Sequence, residues 1–452
     1  MAERLNKTVL YTFGIGDLFF TLLTNMELYF FTAFLTDYAQ FSLVIVGQIL
    51  WITGAADIVC ALLAGIILQR VTLKFGGKYR SWLLVGPPLV APLFILQFTK
   101  LGGVAMAASI VIIGFILSHL FWNVVFSATG AMVGSLSRLP DERTILSSSR
   151  AQGMSAAGLI FSATALPMIT FFGSLTSNLK GYAVTAAVYG IIMILGYLYI
   201  YKITAGKSAD SEEEVPVVKT ESRQSVKEIV GLVFKNPPLL ILIVAETFRN
   251  TGLFVITTFA FYYFGYVLKT PTFLSVFILA ISVAALLGTF VAAWIGVKIG
   301  KRNAYWLCLF LAAGSLVLAK AMGGTAWSFT IIFCAGYMLG MMAGAFSTAL
   351  FADTVVYGEW KTGKNIQAFT MSLLTLPIKI GVLVRSGVVT LGLMAIGFVA
   401  NTVPAQNVVD GIRSIMIISP AAACLIAAAT FYFGYKIDDE RIMQMQEEIA
   451  AR

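Results

Sequence analysis

The chain is poor in charge, in histidine and in cysteine. Only 12% of its 452 residues are Asp, Glu, Lys or Arg, against about 25% in soluble domains, which excludes an ordinary water-soluble protein. There is one histidine, His119, and no HxxxH, CxxC or paired acidic motif. A membrane enzyme would need a nucleophile–base pair or a metal cluster, so neither catalysis nor a resident metal or cofactor is expected. Cys60, Cys308, Cys334 and Cys424 all lie inside apolar stretches without metal-ligand spacing. They read as packing thiols, not as a disulfide framework.

What the chain has instead is apolar length. Hydrophobic residues make up 59% of it. Runs long enough to cross a bilayer fall at about 9–36, 42–69, 81–99, 103–136, 148–174, 181–202, 237–268, 272–297, 303–320, 325–352, 366–398 and 411–435. No cleavable signal is evident, because the first run is too long for a signal core and reads as a retained span. The expectation is an all-α membrane protein with twelve transmembrane helices in two six-helix repeats. The boundaries are 1–203 for the first half, 204–234 for a polar linker, 235–436 for the second half and 437–452 for a tail. Within the linker, Ser225–Glu228 has a capping-box pattern. Repetition shows at the turn after the second span of each half: Lys74-Phe-Gly-Gly-Lys-Tyr-Arg-Ser-Trp82 and Lys298-Ile-Gly-Lys-Arg-Asn-Ala-Tyr-Trp306. The net charge of +9 follows topology and is no nucleic-acid signal. With the N-terminus inside, only Lys100, Lys180, Lys269, Lys320 and Arg413 fall in outer loops, which places both termini in the cytoplasm of a multi-pass plasma membrane protein.

Charged side chains inside spans are costly and are candidate functional residues by default. The first span holds Asp17, near water and read as structural, and Glu27 deeper, open to a substrate, proton or structural role. Asp57 is mid-span in the second. His119 and Asn123 share one face of the fourth, and histidine titrates near neutrality unaided. Arg150 starts the fifth, where its guanidinium could fork onto a solute or pair with a neighbouring helix. Glu246, Arg249 and Asn250 are spaced to share a face of the seventh and read as a gate pair. In the eleventh, Lys379 and Arg385 are six residues apart, so about 120° apart around the helix. Gly336, Gly340 and Gly344 recur on the tenth span, a spacing that lets helices approach closely.

The densest signal is residues 349–381. An apolar segment ends at Asp353, a polar turn is expected to hold Glu359, Lys361 and Lys364, and a second apolar segment carries Lys379. Ala352, Asp353, Tyr357, Gly358, Glu359, Lys361 and Gly363 spell A-D-x-x-x-Y-G-E-x-K-x-G, and Glu142, Arg143, Leu146 and Arg150 spell E-R-x-x-L-x-x-x-R. Together these resemble the glycoside–pentoside–hexuronide:cation symporters of the major facilitator superfamily, of which melibiose permease is a familiar member. The resemblance implies alternating access between two halves and a solute near the midplane. It implies a sugar-contacting role for Arg150, a midplane role for Lys379 and a cation-site role for Asp57. Three positions depart from the pattern. Asn365 stands for arginine, Ala61 for the second acid of the cation site, and Phe126 for a further polar ligand.

The function expected is therefore secondary active transport of a sugar, glycoside or sugar-acid-like solute. Depleted sodium ligands favour coupling to H+, or no coupling, over strict Na+ symport. The candidate solute contacts are Lys379, Arg150, Asp57, Glu27, Asn123 and Arg385. The candidate coupling and gating residues are Asp57, Glu27, His119, Glu246, Arg249, Asp353, Glu359 and Arg143. Lys379 is expected to need an acidic partner, with Asp57 of the other half suggested. The expected partners are the solute, the coupling ion and the lipid bilayer. A carrier of a lysolipid or other organic anion is the alternative. A channel fits less well, because dispersed buried charges suit rocking better than a fixed filter.

Overall fold

The computed structural model describes residues 4–73, 76–137, 139–206, 231–322, 324–364, 370–371 and 373–451. Lys74, Phe75, the linker residues around Ser225–Glu228, and Asn365 lie outside them. The helices are α1 (Lys7–Thr12), α2 (Ile15–Ala33), α3 (Leu43–Arg70), α4 (Arg80–Leu96), α5 (Val104–Leu136), α6 (Pro140–Leu175), α7 (Asn178–Ile203), α8 (Pro237–Tyr262), α9 (Phe273–Ile299), α10 (Lys301–Met322), α11 (Ala326–Ala345), α12 (Ser347–Thr362), α13 (Leu376–Ala395), α14 (Gln406–Gly434) and α15 (Asp439–Ala450). No strand occurs among the described residues. Among the described residues eleven spans are long and apolar enough to cross a bilayer, and α4 is a shorter apolar helix. Only helices or closed barrels satisfy every backbone group in hydrocarbon, so an apolar chain of this length has little other choice. Ser42, Ser177, Asn236 and Thr325 cap helix starts through their side chains. The prolines Pro87, Pro88 and Pro92 of α4 each remove a backbone donor.

The described residues divide into two compact units, one holding α1–α7 with the segment Val399–Thr402, the other α8–α15. In the first unit α2 packs on α6 and α7, α3 on α5, and α4 on α5 and α7. In the second, α8 packs on α13 and α14, α9 on α11, and α10 on α11 and α14. The pairing order is the same, span for span, so the expected repetition is present in the packing. It reaches down to backbone detail. The first span of each unit ends in a π turn, Phe34–Tyr38 in one and Tyr263–Val267 in the other. Two residues beyond each, Gln40 (φ 53) and Lys269 (φ 54) adopt the left-handed region. The closing bonds match too: Phe41 N donates to Leu35 O at 3.0 Å and Thr270 N to Phe264 O at 2.8 Å. The two basic turns do the same job. Arg80 donates from Nε and Nη2 to Tyr201 O at the end of α7, and Arg302 donates from Nε to Tyr435 O just past α14. Arg80 precedes Trp82 by two positions and Arg302 precedes Trp306 by four. The register differs and the contact is the same.

Residues 347–362 correct one expectation. Glu359 and Lys361 are not in a turn. They continue α12, and the chain leaves the helix only at Gly363, whose φ of 68° supplies the left-handed cap. Glu and Lys are good helix formers, so polarity marked a change of environment, not a break in the helix.

The first span breaks between α1 and α2, and Ser149 of α6 repairs it. Its hydroxyl accepts from Gly14 N at 2.9 Å and donates to Tyr11 O at 3.0 Å. The helices cross with almost no clearance. A Cβ on Gly14 would lie 1.9 Å from Ser149 O, and one on Gly153 would lie 2.1 Å from Gly14 O. Gly14→Ala and Gly153→Ala are expected to lower the thermal midpoint of detergent-purified protein, as overpacking of about 1–3 kcal/mol does. Gly65→Ala, where nothing lies within 4 Å, should leave it unchanged or raised. Equal effects at all three positions would contradict this reading of the crossing.

Candidate functional site

In the first unit, α2, α3 and α5 bring four of the sequence candidates together. Glu27 Oε2 lies 3.1 Å from His119 Nε2. Asn123 donates from Nδ2 to Asp57 Oδ1 at 3.0 Å and to the His119 carbonyl at 2.7 Å. One turn of α5 thus holds both acids, one through an imidazole and one through an amide. All four residues are buried, with 5–9% exposure. The imidazole lies against Phe115, ring centroids 3.7 Å apart and nearly parallel, with Trp122 stacked at 5.8 Å. His119 Nδ1 lies 3.1 Å from the Phe115 carbonyl oxygen.

Arg150 makes a forked pair with Asp17, Nε to Oδ2 at 2.8 Å and Nη2 to Oδ1 at 2.9 Å. Asp17 is wholly buried. The guanidinium also lies 5.2 Å from the Phe126 ring centre, and Phe126 stacks on Phe20 at 5.6 Å. An aromatic side chain therefore stands where the resemblance noted in the sequence implied a polar ligand. The other motif residues serve the α5–α6 turn. Glu142 accepts from Leu5 N at 3.0 Å and from Ser137 Oγ, while Arg143 donates to Ser137 O at 2.7 Å and Gly134 O at 3.2 Å.

The second unit has its own buried pair. Arg249 forks onto Glu246 at 2.9 and 2.8 Å, and Tyr305 Oη donates to Glu246 Oε1 at 2.8 Å. Asn250 Oδ1 accepts from Arg249 Nη2 at 3.3 Å. The glycine series on α11 has two physical causes. Gly336 faces Leu316 and Ala312 of α10, whereas a Cβ on Gly344 would sit 2.7 Å from Arg249 Nη1. Gly344 makes room for a guanidinium as well as for a helix. Asp353 pairs with Lys301 at 2.9 Å, and the same ammonium reaches Asp439 of α15 at 3.1 Å. On α13, Lys379 is half-buried, and Arg385 is buried with Nη1 donating to Thr258 Oγ1 at 3.2 Å. Glu359 is half-buried near the end of α12. Among the described residues no group of three or more His, Cys, Asp or Glu converges as a metal site.

Sequence reasoning did not single out Ser149 or Thr258, and it took Lys301 and Tyr305 only as parts of the repeated turn Lys298–Trp306. Each is a common residue type, and only its position against a partner gives it meaning. The Glu27–His119 contact was equally hidden, because the two residues are 92 positions apart.

The forked pair yields a testable expectation. Removing one partner of a buried ion pair costs about 3–5 kcal/mol, because the other charge is stranded. Asp17→Asn and Arg150→Gln are each expected to lower the thermal midpoint strongly, and the double variant to be more stable than either single one. Additive losses in a double-mutant cycle would show that the two do not act as a pair.

Comparison with known proteins agrees with this architecture. A relative from Salmonella typhimurium, described provisionally as a sulfoquinovose importer, is 26% identical over 446 residues, 97% of this chain and 92% of the relative. The isoprimeverose transporter of Lactiplantibacillus pentosus is 26% identical over 93% of this chain and 86% of its own length. The crystal structure of a D-xylose–proton symporter superposes with a TM-score of 0.69 at 14% identity, covering 95% of this chain and 98% of that one. Residues 12–439 match the model of the MFS/sugar transport proteins. With its membrane-spanning helices in two repeats and this match over nearly its whole length, the chain belongs to the MFS/sugar transport protein family, a multi-pass membrane transporter of the major facilitator superfamily.

Proposed function

We propose that the protein is a proton-coupled carrier of a sugar-derived solute, with sugar acids and sulfonated sugars as the favoured class. The observation that carries the coupling half is the ligand set around Asp57. A hard cation wants several oxygen ligands. Asp57 instead accepts from the amide nitrogen of Asn123, Ala61 offers no side-chain oxygen, and the Phe126 ring lies against Phe20 and Arg150. A proton needs no such shell.

The solute class rests on the family, on the sugar and sugar-sulfonate names of the relatives, and on the two cations of α13. Lys379 and Arg385 would offer donors to hydroxyls, a carboxylate or a sulfonate. Asp57, Glu27, Asn123 and Arg150 are the solute contacts proposed in the other half. Glu246, Arg249, Asp353, Glu359 and Arg143 are proposed to steady the alternating states. The halves are assigned to 1–203 and 235–436, with a linker at 204–234 and a tail at 437–452. The bias of Lys and Arg puts both termini in the cytoplasm.

Uptake by proteoliposomes of labelled hexoses, hexuronates, sulfonated hexoses and lysolipids tests both halves. Accumulation of an anionic sugar driven by an imposed pH gradient, equal in sodium and choline buffers, is expected. A steep sodium requirement would remove proton coupling, and uptake of lysolipid alone would remove the sugar reading. Lys379→Met is expected to keep normal yield while losing solute binding by at least about tenfold, since an ammonium on a solute donates charge-assisted bonds. Wild-type affinity in well-folded Lys379→Met protein would take this lysine out of the site.

A further inference from the structure

We propose that Glu27 and His119 together form the proton-binding site, one proton being held between Oε2 and Nε2. This rests on the proton-coupled reading above and names the place where the proton sits.

The argument is one of donors and acceptors. The Phe115 carbonyl oxygen, 3.1 Å from His119 Nδ1, can only accept. Ser118 Oγ is also near Nδ1, at 3.4 Å, but its proton is directed to the same carbonyl at 2.9 Å, and it accepts from Gln97 Nε2 at 2.8 Å. Nδ1 therefore carries the hydrogen. A neutral imidazole then presents a bare lone pair at Nε2. Opposite it, at 3.1 Å, stands a carboxylate oxygen of Glu27. Two lone pairs at that distance repel. One proton turns the contact into a hydrogen bond, either as imidazolium and carboxylate or as imidazole and carboxylic acid. The closed pair is the loaded state. Loss of the proton leaves the two groups nothing to hold each other with, and they separate.

The surroundings suit a site that loads and unloads. The ring is sandwiched by Phe115 and Trp122, so the charge change is felt in a low-dielectric setting. From α3 the facing groups are Asp57, joined through Asn123, and Cys60, whose Sγ donates to Ile116 O at 3.6 Å. α6 brings Arg150, already paired with Asp17 ten residues before Glu27 on α2, about 15 Å along the helix. α7 carries the phenols Tyr182, Tyr189 and Tyr197, and the π turn carries Asp37 and Tyr38. From α4 no titratable side chain follows Arg80. Asp57 is linked to the pair through Asn123, whose amide nitrogen also donates to the His119 carbonyl. A change at one acid is thus transmitted to the helix turn that carries the other.

The protein's histidine content makes the test direct. His119 is the only histidine, so full-length, tag-free protein labelled with 15N-histidine and reconstituted in nanodiscs gives the imidazole spectrum of this site alone, with no solute needed. Nδ1 is expected to stay protonated throughout, while Nε2 titrates. Glu27→Gln, which removes the negative partner, is expected to lower the midpoint by at least about one pH unit, a tenfold loss of proton affinity. Glu27→Asp, keeping the charge on a shorter reach, is the second variant and should fall between. A Nε2 signal that does not titrate, or a midpoint that stays or rises in Glu27→Gln, overturns the proposal. The sodium comparison above can fail independently, so the two readings are separable.

Discussion

A charge in hydrocarbon has no water to turn to, and most of this structure answers that constraint. Asp17 has Arg150, Glu246 has Arg249 and Tyr305, and Glu27 has His119. Each of these contacts closes within a single six-span unit, so each unit meets the desolvation cost of its own charges. The cost shapes the backbone as well as the side chains. Gly344 is small because a guanidinium occupies the space beside it, and Gly14 and Gly153 are small because the helices carrying Asp17 and Arg150 must cross almost in contact.

The repeat is the second organising fact. The same helix pairings, the same π turn with a left-handed residue two positions on, and the same arginine clamp onto the last helix occur in both units. Both units solve one packing problem with one set of backbone devices. They differ in what they bury. The first gathers two acids, an amide and an imidazole around one turn of α5, whereas the second encloses a forked pair and carries Lys379 and Arg385 on α13.

Much of the fold was legible beforehand because length and polarity are one-dimensional properties. Apolar runs marked the helices, and the turns Lys74–Trp82 and Lys298–Trp306 marked the repeat. The motif at 352–363 located the family, although its polar end proved helical, since Glu and Lys extend a helix as readily as they mark its exit. The candidate site was legible as a set of residues but not as a set of contacts. Glu27, His119, Asp57 and Asn123 could all be named from the strangeness of a polar group in an apolar span. That Glu27 meets His119 while Asn123 meets Asp57 depends on how α2, α3 and α5 are rotated, and rotation about a helix axis leaves little trace in a uniformly apolar sequence. Arg150 shows the same limit: nothing in the sequence said that its guanidinium lies 2.8 Å from Asp17.

By itself, then, the sequence determined that this is a helical membrane protein of two repeated halves with costly polar groups buried in its spans. Composition and hydrophobic length suffice for that, because the bilayer admits so few backbone solutions. Only the tertiary structure decided which buried group neutralises which, where glycine yields space to a guanidinium, and that an imidazole nitrogen faces a carboxylate across 3.1 Å. Those are short-range matters of donor, acceptor and ångström clearance, and they exist only once helices distant in the chain have been brought into contact.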